Sequence, residues 1–292
     1  MIKAVLVDMD GTLLNEQGII TEKTAEVIRA FQAKGGIFAI NSGRGYQTAS
    51  KLIKNAGLEC DYVCLSGAGI YDKDGNCLMC DCMTEDEVRI VRNIEKKYGL
   101  YVNYLTDEGA FCEKSKENAR NHYVMEAKIL ASDSGKEFVE EEAIKRYQGI
   151  LNYIKYDSDI EGLLERKVPI FKMAIMAKDM ETLALARADF EMYPEFCVAS
   201  TFRTNIEVNA ARVDKGMSGL LYAKMKGVLP EEVLVLGDSE NDLSMFAKPF
   251  GMKVAMANGS KEIKEVCTHE TLSNNEDGVA YAIEKWALNA EV

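Results

Sequence analysis

Two aspartates stand two positions apart where the first apolar segment of the chain ends. Asp8 and Asp10 follow the largely apolar run 2–7, which is typical of a buried strand in a parallel sheet. Side chains two residues apart on an extended chain point the same way, and open α/β sheets bind ligands at the carboxyl ends of their strands. One such carboxylate can act as a nucleophile while both hold a metal ion. The same pair also suits a strand followed by a solvated acidic turn, so it does not decide the matter alone.

Three further segments place reactive side chains at a predicted strand end or helix start. The run Asn-Ser-Gly-Arg at 41–44 offers a hydroxyl and backbone amides for an anion, although a helix cap would use the same residues. The pair Lys215-Gly216 begins a predicted helix, where a lone lysine is usually a solvated charge. The segment 237–242 follows an apolar strand and holds Asp238 and Asp242, a spacing suited to a metal site.

The elements that must position these residues alternate between strand and helix at both ends of the chain. We predict strands over 2–7, 37–40, 62–65, 101–105, 171–177, 197–203, 205–209, 233–236 and 254–256. We predict helices over 22–34, 45–55, 84–98, 180–192, 215–226, 242–247, 260–266 and 278–288. Alternation indicates a parallel sheet, and its loss in the middle indicates an α+β module. We therefore predict an α/β fold whose Rossmann-like core comprises 1–82 and 210–292, with an α+β module inserted at 83–209.

Composition restricts the possible partners. The chain has 292 residues with 47% apolar content and a net charge of −12, which disfavours nucleic acid and membrane surfaces as partners. No apolar run approaches the roughly 20 residues that span a bilayer. The first residues lead into a strand without an export signal, and the eight cysteines suit a reducing compartment, so we expect a cytoplasmic protein. The sequence leaves the oligomeric state open.

The cysteines at 77, 80 and 82 have a spacing that occurs in zinc sites. No second cysteine pair follows at the usual distance, and neither His122 nor His269 is near in sequence. A cysteine-rich β-hairpin around Asp74 and Gly75 is therefore favoured over a structural zinc site.

Taken together and in this order, the motifs resemble those of the haloacid dehalogenase superfamily of phosphohydrolases, and of its Cof-like sugar-phosphatase subfamily in particular. Asp-Met-Asp-Gly-Thr-Leu-Leu at 8–14 matches the first motif, Ser-Gly-Arg at 42–44 the second, Lys215-Gly216 the third and 237–242 the fourth. The resemblance covers nearly the whole chain. It implies a parallel-sheet core with an inserted α+β cap, and a small phosphorylated metabolite as substrate.

The resemblance also implies a role for each matched residue. Asp8 would attack phosphorus and form an aspartyl-phosphate, and Asp10 would act as general acid and base. The metal would be Mg²⁺, held by the carboxylates of Asp8 and Asp238 and the backbone carbonyl of Asp10. The phosphate would be bound by Ser42, Gly43, Lys215 and Asn241. The supporting residues around them would be Asp242, Thr12 and Arg44. Hard oxygen ligands suit Mg²⁺ better than zinc, and phosphoryl transfer needs mainly positioning and charge neutralisation.

Two departures from the family pattern and three alternative functions stay open. The chain has Ser-Gly-Ala at 66–68 where the family often has Asn-Gly-Ala, which affects substrate contacts at the edge of the site. Arg212 replaces part of the usual Pro-Gly turn before Lys215 and suits a solvated linker better than an anion contact. A phosphotransferase or mutase would share the nucleophile and the metal ligands. A non-catalytic phosphosugar sensor would normally lack Asp8, Asp10 or Asp238, and a receiver domain would not need the inserted module.

Overall fold

The computed structural model describes residues 1–106, 108–135, 137–200 and 203–289. Its strands are β1 (Ala4–Val7), β2 (Ile37–Asn41), β3 (Asp61–Cys64), β4 (Gly69–Tyr71), β5 (Cys77–Cys80), β6 (Tyr101–Thr106), β7 (Gly109–Phe111), β8 (Ile154–Lys155), β9 (Ile170–Met176), β10 (Phe196–Ala199), β11 (Ile206–Ala210), β12 (Val233–Gly237), β13 (Met252–Ala255) and β14 (His269–Glu270). Its α-helices are α1 (Glu22–Ala33), α2 (Tyr46–Asn55), α3 (Glu85–Tyr98), α4 (Lys116–Asp133), α5 (Glu140–Tyr153), α6 (Ile160–Glu165), α7 (Met180–Glu191), α8 (Lys215–Met225), α9 (Leu243–Phe246), α10 (Lys261–Val266) and α11 (Gly278–Ile283). Within these residues no helix combines the length and the apolar composition that a membrane crossing requires.

The chain divides into two compact units. The first comprises Met1–Asp81 and Val213–Val292, and the second comprises Cys82–Arg212. Cys82 and residues 210–212 thus belong with the second unit, whereas the sequence-based boundaries assigned them to the core. The predicted α/β fold with an inserted α+β module is confirmed.

The first unit is built on an eight-stranded sheet among the described residues, in the order β14-β13-β12-β1-β2-β3-β4-β5. The strands from β14 to β3 are parallel. The central strands are apolar throughout and buried, because helices cover both faces of a parallel sheet. In the register, Val7 lies opposite Leu236 on one side and Ile40 on the other. The carboxyl ends of β1, β2 and β12 therefore reach the same edge of the sheet.

An antiparallel hairpin closes the other end of this sheet. Strands β4 and β5 pair across the turn that contains Gly75, which adopts a φ of +91°. Cys77 and Cys80 lie in β5, so the predicted cysteine-rich hairpin is confirmed. Within the described part of the chain, Cys77, Cys80 and Cys82 do not come close enough together to share a metal ion.

The second unit holds a six-stranded sheet among its described residues, in the order β10-β11-β9-β6-β7-β8. Its pairs are antiparallel except for β7 with β8. Helix α3 begins with a capping box between Thr84 and Glu87, a sequence signal that defines its start. A buried ion pair joins Lys172 of β9 to Glu207 of β11 at 2.5 Å.

Several elements differ from the sequence-based prediction. Strands β7, β8 and β14 have two or three residues each, which is too short for a periodic pattern. Helices α4, α5 and α6 were not predicted. The strand predicted over 197–203 is β10, while Thr201 and Phe202 lie outside the described residues, as do 290–292 of the predicted core. The helix predicted over 278–288 is α11 followed by a π-helical turn, Glu284–Leu288.

Arg212 is exposed and lies where the chain leaves the second unit, in agreement with the favoured interpretation as a solvated linker residue, but its guanidinium is bound within the protein. Its guanidinium donates to Glu87 Oε1 and to the carbonyl oxygen of Cys82, both at 2.6 Å. Arg212 thus joins the last residue of the second unit to its first. A carboxylate and a carbonyl occupy the guanidinium, which argues against the anion contact that was the alternative.

Candidate active site

The loop after β1 fixes Asp8 and Asp10 at the edge of the sheet. The N–H of Asp8 donates to the carbonyl of Leu236 at 3.1 Å, which continues the ladder between β1 and β12 past the end of the strand. Gly11 then adopts a φ of +82°, and a Cβ at this position would lie 2.3 Å from Asp238 Oδ2. Only glycine tolerates both the backbone conformation and this close approach. The glycine that follows the two aspartates is therefore a geometric requirement of the fold.

Asp10 forms a bidentate ion pair with Arg44. Its two carboxylate oxygens accept from Nε and from a terminal nitrogen of the guanidinium at 2.7 and 2.6 Å. Burial lowers the pKa of Arg44, but the hydrogen bond and charge of Asp10 raise it by more. Both oxygens of Asp10 are thus engaged, and its side chain remains 41% exposed, which leaves it accessible to a substrate.

Lys215 lies at the first position of α8 and binds two carboxylates in the interior. Its Nζ is 2.6 Å from Asp8 Oδ1, 2.6 Å from Asp242 Oδ1 and 3.1 Å from Asn241 Oδ1, and its side chain has no solvent exposure. Burial lowers the pKa of Lys215, but the carboxylates of Asp242 and Asp8 more than offset this and raise the pKa above its usual range. The interpretation of Lys215 as a solvated charge is therefore wrong.

Neighbouring residues determine where Lys215 lies. Asp214 caps α8 by accepting from the N–H of Met217. Asn41, at the end of β2, donates through Nδ2 to the carbonyl of Lys215 at 2.9 Å. A Cβ on Gly216 would lie 2.1 Å from the carbonyl oxygen of Ser244, so the glycine lets α8 approach α9 closely.

The loop after β12 is held by Asp242. Its Oδ2 accepts from the backbone N–H groups of Asp238 and Ser239 at 3.0 and 3.1 Å, while Oδ1 faces Lys215. Gly237 makes room for this return, because a Cβ there would lie 2.6 Å from the Cβ of Asp242. On the other side, the hydroxyl of Thr12 donates to Asp238 Oδ1 at 2.6 Å. The loop thus directs Asp238 towards the first aspartates.

The Ser42–Gly43 loop follows β2 at the same edge of the sheet, and hydrogen bonds from Arg44 and Ser66 hold it in place. The hydroxyl of Ser42 accepts from the N–H of Arg44 at 3.2 Å, and its carbonyl accepts from the N–H of Ser66 at 3.0 Å. Helix α2 begins later, with Gly45 as its N-cap, so Ser42 does not cap it. Leu65 and Ser66 both adopt positive φ values of 55° and 57°, strain that commonly accompanies functional loops. The Ser-Gly-Ala segment therefore shapes the backbone behind Ser42.

Three carboxylates at this edge could share a metal ion. Asp8, Asp238 and Asp242 each offer an oxygen, and these oxygens lie within 4.8 Å of one another. Both oxygens of Asp242 already accept hydrogen bonds, so the carboxylates of Asp8 and Asp238 are better placed to bind an ion. The all-oxygen donor set suits a hard cation such as Mg²⁺.

The protonation equilibria of these groups indicate an excess of negative charge. Burial raises the pKa of Asp8 well above its usual range; Lys215 opposes the rise, and the nearby carboxylates of Asp242 and Asp238 add to it. Burial likewise raises the pKa of Asp238 to about 7, again with a contribution from Asp242 and against the hydrogen bond from Thr12. A divalent cation bound here would stabilise the ionised carboxylates and so lower both pKa values. The residues therefore fit a divalent cation.

The structure thus brings together most of the residues that the sequence singled out. Direct contacts connect Asp8, Lys215, Asn241 and Asp242, and separately Thr12 with Asp238 and Asp10 with Arg44. Ser42 and Gly43 share the sheet edge with them. Two supporting residues had no predicted role: Asn41, and Asn258, which donates to the Gly11 carbonyl at 2.8 Å. The only feature in the sequence that could have identified them is an asparagine near the end of a strand. This feature is too common to single out these two residues.

Comparison with known proteins places this geometry in a family. Residues 5–283 match the family of haloacid dehalogenase-like hydrolases. Two curated proteins of Bacillus subtilis (strain 168) are similar over almost the full length, and both are named 5-amino-6-(5-phospho-D-ribitylamino)uracil phosphatase. YwtE is 27% identical over 288 residues, 97% of each chain. YcsE is 26% identical over 287 residues, 98% of this chain and 96% of its own.

Solved structures share the fold. A haloacid dehalogenase-like hydrolase from B. subtilis superposes with a TM-score of 0.86 at 20% sequence identity, covering 98% of this chain and 100% of its own. The likeness extends over both units, so the inserted module belongs to the shared architecture.

Proposed function

The chain belongs to the haloacid dehalogenase-like hydrolase family and is a phosphatase of that family. From this premise we propose that it depends on Mg²⁺ and acts on small phosphorylated metabolites, sugar phosphates among them. The observation that carries the proposal is the buried Lys215, whose Nζ lies 2.6 Å from both Asp8 and Asp242. A carboxylate oriented by a lysine at a sheet edge, with a second carboxylate two residues on, supports nucleophilic and acid–base chemistry at one phosphorus.

The proposed reaction has two steps. A carboxylate oxygen of Asp8 forms a bond to phosphorus as the bond from phosphorus to the ester oxygen breaks, and the carboxyl group of Asp10 gives its proton to that leaving oxygen. Water then attacks the aspartyl-phosphate, the Asp10 carboxylate takes up a proton from it, and inorganic phosphate leaves with Asp8 restored. Lys215, Ser42 and the backbone N–H of Gly43 would bind the phosphoryl oxygens.

Arg44 sets a condition on this assignment. It occupies both oxygens of Asp10 at 2.7 and 2.6 Å. Asp10 can carry a proton to the leaving oxygen only when the guanidinium gives up at least one of these hydrogen bonds. We propose that substrate binding draws Arg44 towards the phosphate and so releases Asp10.

The carboxylates of Asp8 and Asp238, with the backbone carbonyl of Asp10, would hold the Mg²⁺ ion. When bound, the ion supplies neutralisation of the charge on the phosphoryl oxygens. Asp242 and Thr12 position Asp238 through the hydrogen bonds described above. The raised pKa of Asp238, about 7, supports a cation at this place.

We further propose that the second unit selects the organic part of the substrate. Asn103, Lys172 and Glu207 project from one face of its sheet, according to the strand register. All three are buried, and the Oδ1 of Asn103 accepts no hydrogen bond within the described residues. Polar groups of this kind suit a hydroxylated ligand. The phosphoribityl substrates named for YwtE and YcsE support a phosphorylated sugar or sugar alcohol. Such metabolites, together with the cysteine content, favour the cytoplasm as its compartment.

Turnover on a panel of sugar phosphates and p-nitrophenyl phosphate tests the proposal. We expect inorganic phosphate to be released with Mg²⁺ and not in excess chelator, and Asp8→Asn to abolish release. Asp74→Asn changes an exposed aspartate of the hairpin and should leave the rate unchanged. Full activity in chelator, or turnover by Asp8→Asn, would contradict the mechanism. A phosphoryl group transferred to a second sugar in place of water would favour a phosphotransferase.

A further inference from the structure

The turn that follows β13 contacts both loops that carry the proposed metal ligands. We call residues 256–260 the β13 turn. Within it, Asn258 Nδ2 donates to the carbonyl of Gly11 at 2.8 Å, and the backbone N–H of Ser260 donates to the carbonyl of Asp238 at 2.8 Å. The turn therefore joins the loop after β1 to the loop after β12.

The side-chain amide of Asn258 has a single orientation that satisfies its neighbours. Its Oδ1 accepts from the backbone N–H of Asn274 at 2.9 Å, and the amide of Asn274 in turn donates to the carbonyl of Leu14 at 2.8 Å. Because one neighbour is a donor and the other an acceptor, a flipped amide would oppose like groups at both ends. Asn258 is thereby fixed as the donor to Gly11.

The Gly11 carbonyl is a sensitive place for such a contact. Glycine in the left-handed region has more conformational freedom than any other residue, so an external hydrogen bond is needed to fix the direction of its carbonyl. The peptide that follows Gly11 leads directly to Thr12, whose hydroxyl donates to Asp238 Oδ1 at 2.6 Å. A continuous series of contacts thus runs from Asn258 through Gly11 and Thr12 to Asp238.

We propose that Asn258 is a positioning residue for the metal site, which orients Thr12 and the Asp238 carboxylate by fixing the Gly11 peptide. The inference rests on the proposed function, in which Asp8 and Asp238 hold Mg²⁺. Residues that orient metal ligands typically change metal affinity by roughly 10–100-fold when they are removed. Asn258 acts through Gly11 and Thr12 and not on the ligand directly, so we expect a change of about tenfold, near the lower end of that range.

Asn258 is exposed, which makes it suitable for substitution because no core packing is lost. In Asn258→Ala the donor to Gly11 disappears. A matched control is Asn275→Ala, because Asn275 Oδ1 accepts from the N–H of Glu16 at 3.0 Å and so also holds the chain after β1, at a position away from Gly11. Calorimetric titration with Mg²⁺ alone, without substrate, measures the Kd, and thermal melting in chelator measures the stability of the metal-free protein.

We expect the Mg²⁺ Kd to rise about tenfold in Asn258→Ala and to stay within twofold of the parent in Asn275→Ala. A Mg²⁺ Kd within twofold of the parent for Asn258→Ala would overturn the inference. If the melting temperature in chelator falls while the Kd stays within that limit, Asn258 has a structural role alone, and the inference is overturned as well. Asn258→Asp provides a second test, because it keeps the contact with Asn274 and places an oxygen against the Gly11 carbonyl. Weaker Mg²⁺ binding despite the added negative charge would support the inference, and equal or tighter binding would count against it. Failure of the parent protein to bind Mg²⁺ would instead overturn the proposed function, and this inference with it.

Discussion

Replacing Lys215 by methionine removes a buried positive charge at a similar side-chain length and leaves two carboxylates facing each other. Its Nζ lies 2.6 Å from oxygens of Asp8 and Asp242, and all three side chains are almost wholly buried. At that distance and an effective dielectric constant of about 20, each pair attracts by about 6 kcal/mol before the cost of desolvation is subtracted. Removing one partner of a buried ion pair lowers the free energy of unfolding by about 3–5 kcal/mol, because the other charge stays buried and unpaired.

The loss should depend on pH. Burial already raises the pKa of Asp8, and the removal of Lys215, which opposes that rise, will raise it further. An acid whose pKa is higher in the folded protein than in the unfolded chain destabilises progressively as pH rises from its unfolded pKa through its folded pKa. We therefore expect the deficit of Lys215→Met in free energy of unfolding to be larger at pH 8 than at pH 5.5. Phosphatase turnover should fall by at least about 10²–10³-fold, the usual effect of losing one donor to the transition state.

Lys172→Met is a matched control for this experiment. Lys172 is also a buried lysine and pairs with Glu207 at 2.5 Å, but it belongs to the second unit. Urea denaturation in chelator should show destabilisation in both variants. Turnover of p-nitrophenyl phosphate should be lost only in Lys215→Met. The reasoning is refuted if Lys215→Met unfolds with the same deficit at both pH values, or if the two variants lose the same fraction of turnover.

Three further results are expected. Lowering the pH from 8 to 6 should weaken Mg²⁺ binding about tenfold, because Asp238, with a pKa of about 7, takes up a proton that the metal must displace. Calorimetry measures the Mg²⁺ Kd at each pH, and an unchanged Kd would contradict this expectation. Asp10→Asn should slow hydrolysis of sugar phosphates by about 10²–10⁴-fold and of p-nitrophenyl phosphate by less, as kcat/KM for the two substrates will show, since an activated leaving group needs less protonation. Replacing 82–212 by a short Gly-Ser linker should flatten the ranking of sugar phosphates while a folded core still hydrolyses p-nitrophenyl phosphate. A retained ranking would place specificity in the first unit.

The position of the acidic residues could be predicted because strand ends are visible in the sequence. An apolar run of four to six residues followed by Asp, Asn, Ser or Gly indicates where each central strand stops, and parallel strands end at one edge. This local signal was enough to group Asp8 with Asp238, whereas Lys215, at a helix start, was added by the family resemblance. The local signal also gave the α/β fold, since the alternation of strand and helix at the two chain ends needs no knowledge of tertiary contacts.

The supporting residues could not be predicted because their partners are distant in sequence and their types are ordinary. Asn41 acts on a carbonyl 174 positions away, and Asn258 on one 247 positions away. Asparagines are common at strand ends and in the turns that follow, so nothing local distinguishes these two. Arg212 shows the same limit, since its partner Glu87 lies 125 positions away. Short strands such as β8 depend on a neighbouring strand for their existence and carry no periodic pattern.

The charges at the site lead to one more expectation, on the order of binding. The protein has a net charge of −12, and a phosphate dianion approaching it is repelled. The two cationic side chains that the sequence assigned to the site are already paired with carboxylates. Lys215 pairs with Asp8 and Asp242, and Arg44 pairs with Asp10. Neither therefore has a full charge to offer the substrate. We expect the metal to bind first and substrate affinity to depend on it, so that inorganic phosphate binds measurably by calorimetry with Mg²⁺ and at least about tenfold more weakly in chelator. Equal phosphate affinity in both conditions would mean that Lys215 or Arg44 exchanges its carboxylate for the phosphate without help, and the charge reasoning would fail.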